Sequence, residues 1–243
     1  MSTLKKILKS FPFIKNTLRN LDNQNERDDF VIRQLSNLPS NKLLLDAGCG
    51  SQRYRQYCSH LQYKTQDFGQ YTTDQKKMIG TEGVGGLEGY QYGQLDYIGD
   101  IWNIQEKNEN FDAILCTEVL EHIPYPIETI KEFSRLLKKN GILILTAPSN
   151  CLRHMDPYFF YTGFSDRWYE KFLNDYDLEI ISIEPVGDYY SWLSVEMARA
   201  AHTHSIISKI LLAPAFLYFY NKNKTNESIN TLCMGYHIVA KKK

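Results

Sequence analysis

Four places along the chain set a polar, chemically useful residue at the end of a strand-like run. They are Asp46 with Gly48-Cys49-Gly50 after Leu43-Leu44-Leu45, Asp67 after Gln62 to Gln66, Asp100 after Asp96 to Gly99, and Cys116-Thr117 after Phe111 to Leu115. Carboxylates and a hydroxyl at strand ends suit hydroxyls, amines and cations better than phosphates. Glycines in the first turn let the backbone bend sharply and let a ligand come close, since glycine has no Cβ and tolerates φ > 0. In an open α/β sheet, ligands sit outside the carboxyl ends of the strands where the strand order reverses. Four such ends would build one site.

The spacing narrows the ligand. Asp67 lies about twenty residues past the glycines, the distance expected of a carboxylate that holds ribose hydroxyls. Asp100 could accept a hydrogen bond from an exocyclic amine such as adenine N6. The ligand implied is an adenine nucleoside. A dinucleotide site wants G-x-G-x-x-G with a pyrophosphate at the helix N-terminus, but here the third glycine position is Arg53. The acid two residues before the first glycine favours a cation, as in the amino-acid head and sulfonium centre of S-adenosylmethionine.

The elements that must position these groups read as strands alternating with helices, an α/β layered fold with a mainly parallel sheet. Strands are expected at Lys42 to Ala47, Gln62 to Asp67, Asp96 to Gly99, Phe111 to Thr117, Gly141 to Ala147, Leu178 to Val186 and Thr231 to Ala240. Helices are expected over Asn25 to Leu38, about Gln52 to His60, Pro126 to Leu137, Ser165 to Leu173 and Ser191 to Tyr220, with Asn140-Gly141 as the stop after the third of these. Met1 to Leu38 reads as a helical cap with a basic amphipathic start, since Leu4, Ile7, Leu8 and Phe11 follow helical spacing. Its sharper alternative is a membrane-surface contact. Gly69 to Gly93 carries repeated glycines and reads as a lid that orders on ligand binding. Ile206 to Tyr220 is too short for a membrane span and reads as core packing.

Bulk properties are those of one large domain of 243 residues, with 28 basic and 28 acidic residues and no net charge, so no nucleic-acid partner is expected. The five cysteines are scattered without a CxxC pair, which suits a reducing, cytoplasmic setting and argues against a disulfide framework. Met1 to Ile14 lacks a signal-peptide pattern. Cys58-Ser-His60 and His202-Thr-His204 have loosely metal-like spacing without an accompanying cluster, so no metal is expected.

Taken in order, Leu45-Asp-Ala-Gly-Cys-Gly50, Asp67, Asp100-Ile101, Phe111-Asp-Ala-Ile-Leu-Cys-Thr-Glu-Val-Leu-Glu-His122 and Leu136-Leu-Lys-Lys-Asn-Gly-Ile-Leu-Ile-Leu-Thr-Ala-Pro148 resemble the successive motifs of class I S-adenosylmethionine-dependent methyltransferases. The resemblance is close over residues 40–150. It implies a Rossmann-like, doubly wound seven-stranded sheet of order 3-2-1-4-5-7-6 with strand 7 antiparallel. It implies one methyltransferase domain over 1–243, with a helical cap (1–38), a cofactor-binding core (40–150), and acceptor-side and closing elements (151–243). It places Asp46, Gly48, Cys49 and Gly50 against the methionine part of S-adenosylmethionine, Asp67 on the ribose with Phe68 beside the adenine, Asp100 and Ile101 on the adenine, and Cys116 and Thr117 on the methionine side. The glycine-rich stretch after Asp67 departs from relatives that have a regular helix there. That stretch and His154 to Trp168 resemble methyltransferases of surface-polysaccharide or glycolipid gene clusters.

Methyl transfer asks the protein to align a nucleophile, exclude water and sometimes take a proton. The acceptor-side candidates are Glu118, His122, Tyr158 and Tyr161, with Glu121 more structural. His154 is the expected general base, because histidine titrates near neutral pH and this one sits in the aromatic loop Ser149 to Phe164. The expected reaction is O-methylation of a small or lipid-linked sugar-type hydroxyl, yielding S-adenosylhomocysteine. The alternatives are a non-catalytic module that binds S-adenosylmethionine or its product, and an NAD-dependent oxidoreductase or epimerase.

Overall fold

The leucine run becomes β1 (Leu43–Ala47), in which Leu44 and Leu45 are fully buried. A strand covered on both faces must be apolar throughout, and only a central strand is so covered. The computed structural model describes residues 23–70, 92–203 and 206–243. Among the described residues two compact units emerge, one of residues 31–70, 92–185 and 235–243, the other of residues 23–30, 186–203 and 206–234.

The first unit contains the sheet. After β1 come β2 (Gln62–Asp67), β3 (Tyr97–Ile98), β4 (Phe111–Thr117), β5 (Leu137–Pro148), β6 (Leu178–Val186) and β7 (Gly235–Lys242), in spatial order β3-β2-β1-β4-β5-β7-β6. β1 pairs in parallel with β2 and β4, β4 pairs in parallel with β5, and β7 runs antiparallel to β5. The order and the reversed last strand are those implied by the sequence motifs. The order reverses between β1 and β4, so their carboxyl ends flank the switch point.

Two helices of this unit follow from their punctuation. α2 (Pro126–Leu136) has proline in its first turn and buries Ile130, Phe133 and Leu136 on one face. α3 (Asp166–Asp175) begins at Ser165, whose side chain accepts from Trp168 N, and buries Tyr169 and Leu173. These residues join Phe111, Ile114, Leu143, Leu145 and Ile238 in one core; each such side chain contributes roughly 1.5–3 kcal/mol on burial. Asp112 pins the amino ends of β1, β4 and β5: it accepts from Leu43 N at 3.0 Å, Lys42 Nζ at 3.2 Å and Lys138 Nζ at 2.9 Å. Partial burial alone would raise its carboxyl; these donors hold it below the usual carboxylate range.

Several element boundaries differ from expectation. Only a 3₁₀ turn, Arg55–Tyr57, forms where a helix over Gln52 to His60 is expected. Gln52 sits at φ 58° and spends its side chain on Gln94 O and Arg55. Asn140-Gly141 does not stop a helix. The chain already becomes extended at Leu137, and Asn140, at φ 65°, lies inside β5 where the β4–β5 register jumps from Phe111↔Leu137 to Ala113↔Ile142. The strand expected from Thr231 begins at Gly235, because Thr225 and Ser228 form a capping box that starts α6 (Asn226–Thr231).

α1 (Gln24–Ser36) matches the expected second N-terminal segment, and Phe30, Val31 and Leu35 are its buried residues. In the second unit, the expected single helix is α4 (Tyr189–Thr203) and α5 (Ile206–Tyr220), with the two residues between them outside the description. Asp188 starts α4 by accepting from Ser191 N at 2.9 Å and holds Ser228 Oγ at 2.7 Å. α5 is not core: none of its residues is buried, and Ile206, Ile210 and Leu211 are about two-thirds exposed or more. It is strongly apolar, broken by Lys209, and Tyr190 of α4 stacks on its Phe219. No described helix is long and apolar enough to cross a membrane. The basic amphipathic start and most of the expected lid lie outside the described residues.

Candidate active site

The turn after β1 is built by glycine. Gly48 has φ 71°, and a Cβ there would lie 2.4 Å from Val119 Cγ2 on the segment that follows β4. The two strand exits at the switch point therefore touch only because this residue has no side chain. The turn's amides face inward. Gly48 N and Cys49 N donate to Gln66 O at 2.9 and 3.0 Å, Gly48 N also reaches Gln66 Oε1 at 3.2 Å, and Gly50 N donates to Asp67 Oδ2 at 2.9 Å. No α-helix follows this turn. The amide cradle and helix terminus that a pyrophosphate needs are thus already spent on the protein itself, which disfavours the NAD reading.

The turn offers a carboxyl instead. Asp46 is 3% exposed, and its Oδ2 accepts the Tyr63 hydroxyl. Burial pushes its pKa up to about 7; the Tyr63 hydrogen bond opposes this, and the neighbouring Asp67 charge adds to it. A buried carboxyl held near neutrality is short of a positive partner, so it fits a cationic group. Asp67 is also raised by burial, against the hydrogen bonds it accepts from Gly69 and Gly50. Its two oxygens are acceptors, the chemistry a pair of hydroxyls needs, and each already takes a backbone amide, Gly50 N on Oδ2 and Gly69 N on Oδ1. The residues therefore fit an adenosyl ligand with a cationic head.

The other candidates fall around this pair. Phe68 follows Asp67 and meets Tyr158 edge-on at 4.9 Å between ring centroids. Asp100 is exposed just past β3, whereas Ile101 is 4% exposed and belongs to the core. Cys116 is fully buried, its thiol pushed well up by burial. Cys49 is buried in the turn, and burial raises its thiol as well. Thr117 is half-buried at the end of β4, in register with Thr146.

Past β4 the chain is held in an uncommon conformation. Glu118 has φ 53°, donates its N–H to Thr146 O at 2.9 Å and accepts Thr146 Oγ1 at 2.9 Å. Its carboxylate is held to β5. The next residues form a 3₁₀ turn, Leu120–His122. The aromatic loop is strapped to that turn, since Phe160 N and Tyr161 N donate to Glu121 O. Gly163 closes the loop where a Cβ would fall 2.3 Å from the Ser149 carbonyl. The Tyr161 hydroxyl donates to Pro124 O at 3.2 Å.

His122 and His154, far apart in sequence, lie edge-to-face at 4.6 Å. His122 Nδ1 donates to Tyr158 O at 2.7 Å and His154 Nδ1 to Leu152 O at 2.8 Å. Burial, then the neighbouring His154, push His122 down to about 4, so it is neutral near pH 7. Gln66, Tyr63 and Gln52 were not singled out from sequence. The alternation along β2 contains the signal for Tyr63: parallel register sets it opposite Leu44, two places before Thr65 opposite Asp46, hence on Asp46's face.

Comparison with known proteins gives the family. The methyltransferase domain family matches residues 19–205. The chain is 40% identical over 45 residues to the ubiquinone biosynthesis O-methyltransferase of Haemophilus ducreyi and 46% identical over 41 residues to that of Xanthomonas oryzae pv. oryzae. The matched stretches span 18% and 17% of this chain and 19% and 17% of those enzymes. Among solved structures, geranyl diphosphate C-methyltransferase from Streptomyces coelicolor A3(2), held with S-adenosyl-L-homocysteine, superposes with a TM-score of 0.54 at 14% identity, covering 90% of this chain and 76% of that one. The [4+2]-cyclase SpnF superposes with a TM-score of 0.52 at 20% identity, covering 88% and 80%. The fold is thus shared by proteins of different chemistry, and the family match carries the assignment: the chain belongs to the methyltransferase domain family.

Proposed function

We propose that the chain methylates a hydroxyl on a ring-shaped small molecule, a sugar-type or lipid-linked sugar hydroxyl being the acceptor in view. The observation that carries this reading is the placement of Asp46 and the His122–His154 pair on the exits of adjacent strands, joined through Gly48 packed on Val119. In this reading Asp46 holds the cationic head of the cofactor, Asp67 the ribose hydroxyls, and Phe68 and Asp100 the adenine side. When bound, the cofactor supplies a methyl carbon activated by its sulfonium, open to in-line displacement by an acceptor oxygen. The aromatic loop, with Phe68 against Tyr158, shields that point from water. His154 has its Nδ1 proton committed to Leu152 O, so its Nε2 lone pair is the group assigned to receive the hydroxyl proton.

A second acceptor class, a phenolic hydroxyl, is favoured by the partial likeness to ubiquinone biosynthesis O-methyltransferases. Labelled-methyl transfer from S-adenosylmethionine to glycosides, phenols and cell-envelope extracts separates the two. Label on a glycoside or on a glycolipid fraction supports the first reading. Label on phenols alone supports the second, and no transfer by a chain that binds the cofactor would favour the non-catalytic binding module.

A further inference from the structure

Glu121, His122 and His154 each bring one ligand atom within 4.8 Å of the other two. The set was not anticipated, because the metal-like spacings visible in the sequence involve other residues. Both histidines are fixed in the same tautomer: each Nδ1 faces a backbone carbonyl, at 2.7 and 2.8 Å, and a carbonyl can only accept. In the neutral ring each Nε2 is then the lone pair. His122 Nε2 points toward Glu121 Oε1 at 3.6 Å, and Glu121 is 1% exposed. An imidazole nitrogen and a buried carboxylate oxygen, both atoms that ligate metal ions, thus face one another.

From this we infer that Glu121, His122 and His154 form a binding site for a divalent first-row transition metal of the zinc type. Two imidazole nitrogens and one carboxylate are the donor set that such ions take while keeping a position open. Magnesium prefers oxygen ligands and suits it poorly. Donor atoms bonded at roughly 2.0–2.2 Å to a tetrahedral centre lie about 3.3–3.6 Å apart, which matches the 3.6 Å of the Glu121–His122 pair. His154, on the loop, would close the remaining gap. A backbone carbonyl behind each ligating histidine is also the support that metal-bound histidines use to fix their orientation.

The inference deepens the methyl-transfer reading and rests on it for its role. With an ion bound, a hydroxyl at the open position would be acidified and would give up its proton to bulk solvent as it binds, before methyl transfer. Its oxygen lone pair then forms the new O–CH₃ bond as the C–S bond breaks and that electron pair remains on sulfur. His154 is then a ligand rather than the proton acceptor.

The test is titration of the metal-stripped full chain with Co²⁺ and Zn²⁺, read by visible absorption of Co²⁺ and by calorimetry, with Mg²⁺ as comparison and His60→Gln as control. One equivalent of Co²⁺ displaced by Zn²⁺ is expected, with affinity lowered roughly tenfold or more in His154→Ala and in Glu121→Gln and unchanged in the control. The loop variant His154→Ala keeps the test decisive if Glu121→Gln does not fold. No stoichiometric binding, or equal affinity in a folded His154→Ala chain, overturns the site. Cofactor binding measured with a chelator present separates the readings: a chain that binds S-adenosylmethionine but no metal loses only this inference. A chain that binds metal yet methylates no hydroxyl loses the proposed function instead.

Discussion

Phe68, one residue beyond β2, meets Tyr158 of the His154 loop edge-on at 4.9 Å, and the carbonyl of that same Tyr158 accepts the Nδ1 proton of His122. In the proposed site the cofactor side and the acceptor side therefore share one residue. Replacing Phe68 with alanine removes an aromatic pair worth about 0.5–1.5 kcal/mol. The expected result is a rise of several-fold to tenfold in both the Kd for S-adenosylmethionine and the acceptor KM, measured by calorimetry and initial rates. A change in only one of them would show that the two sides are not coupled through this contact.

Gly48 supports a sharper expectation. In Gly48→Ala the new methyl would sit 2.4 Å from Val119 Cγ2 at a φ of 71°. The left-handed conformation costs roughly 1–2 kcal/mol and the overpacking about 1–3 kcal/mol. Thermal unfolding should show a loss in that combined range. In Gly48→Ala with Val119→Ala, part of it should return, because the clash is relieved while the backbone strain stays.

Gln66 ties the turn to the neighbouring strand end. Its Nε2 donates to Gly99 O at 2.7 Å and its Oε1 accepts from Gly48 N. Gln66→Leu leaves the half-buried Gly99 carbonyl without that donor, at about 1 kcal/mol. Denaturant unfolding should report that loss, together with weaker cofactor binding from a loosened turn.

Asp46 predicts a pH dependence. Its pKa in the fold is raised from 3.8 to about 7, so the folded chain binds this proton more tightly than the unfolded chain. The stability it contributes is complete below about pH 4 and is lost as pH rises toward 7. Asp46→Asn should remove that component from the pH dependence of unfolding. A cationic ligand pairs with the ionised form. Binding below about pH 7 should therefore expel a proton, and affinity should rise by up to about tenfold per pH unit until it levels off.

Much of the sheet is legible because burial on both faces forces apolar runs. Leu43 to Leu45, Ala113 to Cys116 and Ile142 to Leu145 are such runs, and Asp46 and Thr117, which end the first two, belong to the proposed site. Less regular features are hidden. Asn140-Gly141 has the composition of a helix stop but lies in an irregular stretch of β5, a choice made by pairing with β4 rather than by local propensity. α5 has the composition of a core helix and yet buries nothing, since composition does not state what is available to cover it. Tyr63, Gln66 and the Glu121–His122–His154 cluster depend on strand register and loop closure, which bring together residues that no sequence spacing connects.

The most direct test of the account is calorimetric titration of the chain with S-adenosylmethionine, S-adenosylhomocysteine and NAD near neutral pH, repeated with Asp46→Asn. One equivalent of either adenosyl ligand should bind. S-adenosylmethionine should lose roughly tenfold or more in affinity on the substitution, its pH dependence should flatten, and NAD should not bind measurably. NAD binding without S-adenosylmethionine binding, or an Asp46→Asn chain that binds S-adenosylmethionine as tightly as the parent, would contradict the assignment of this turn as the site of the cationic head.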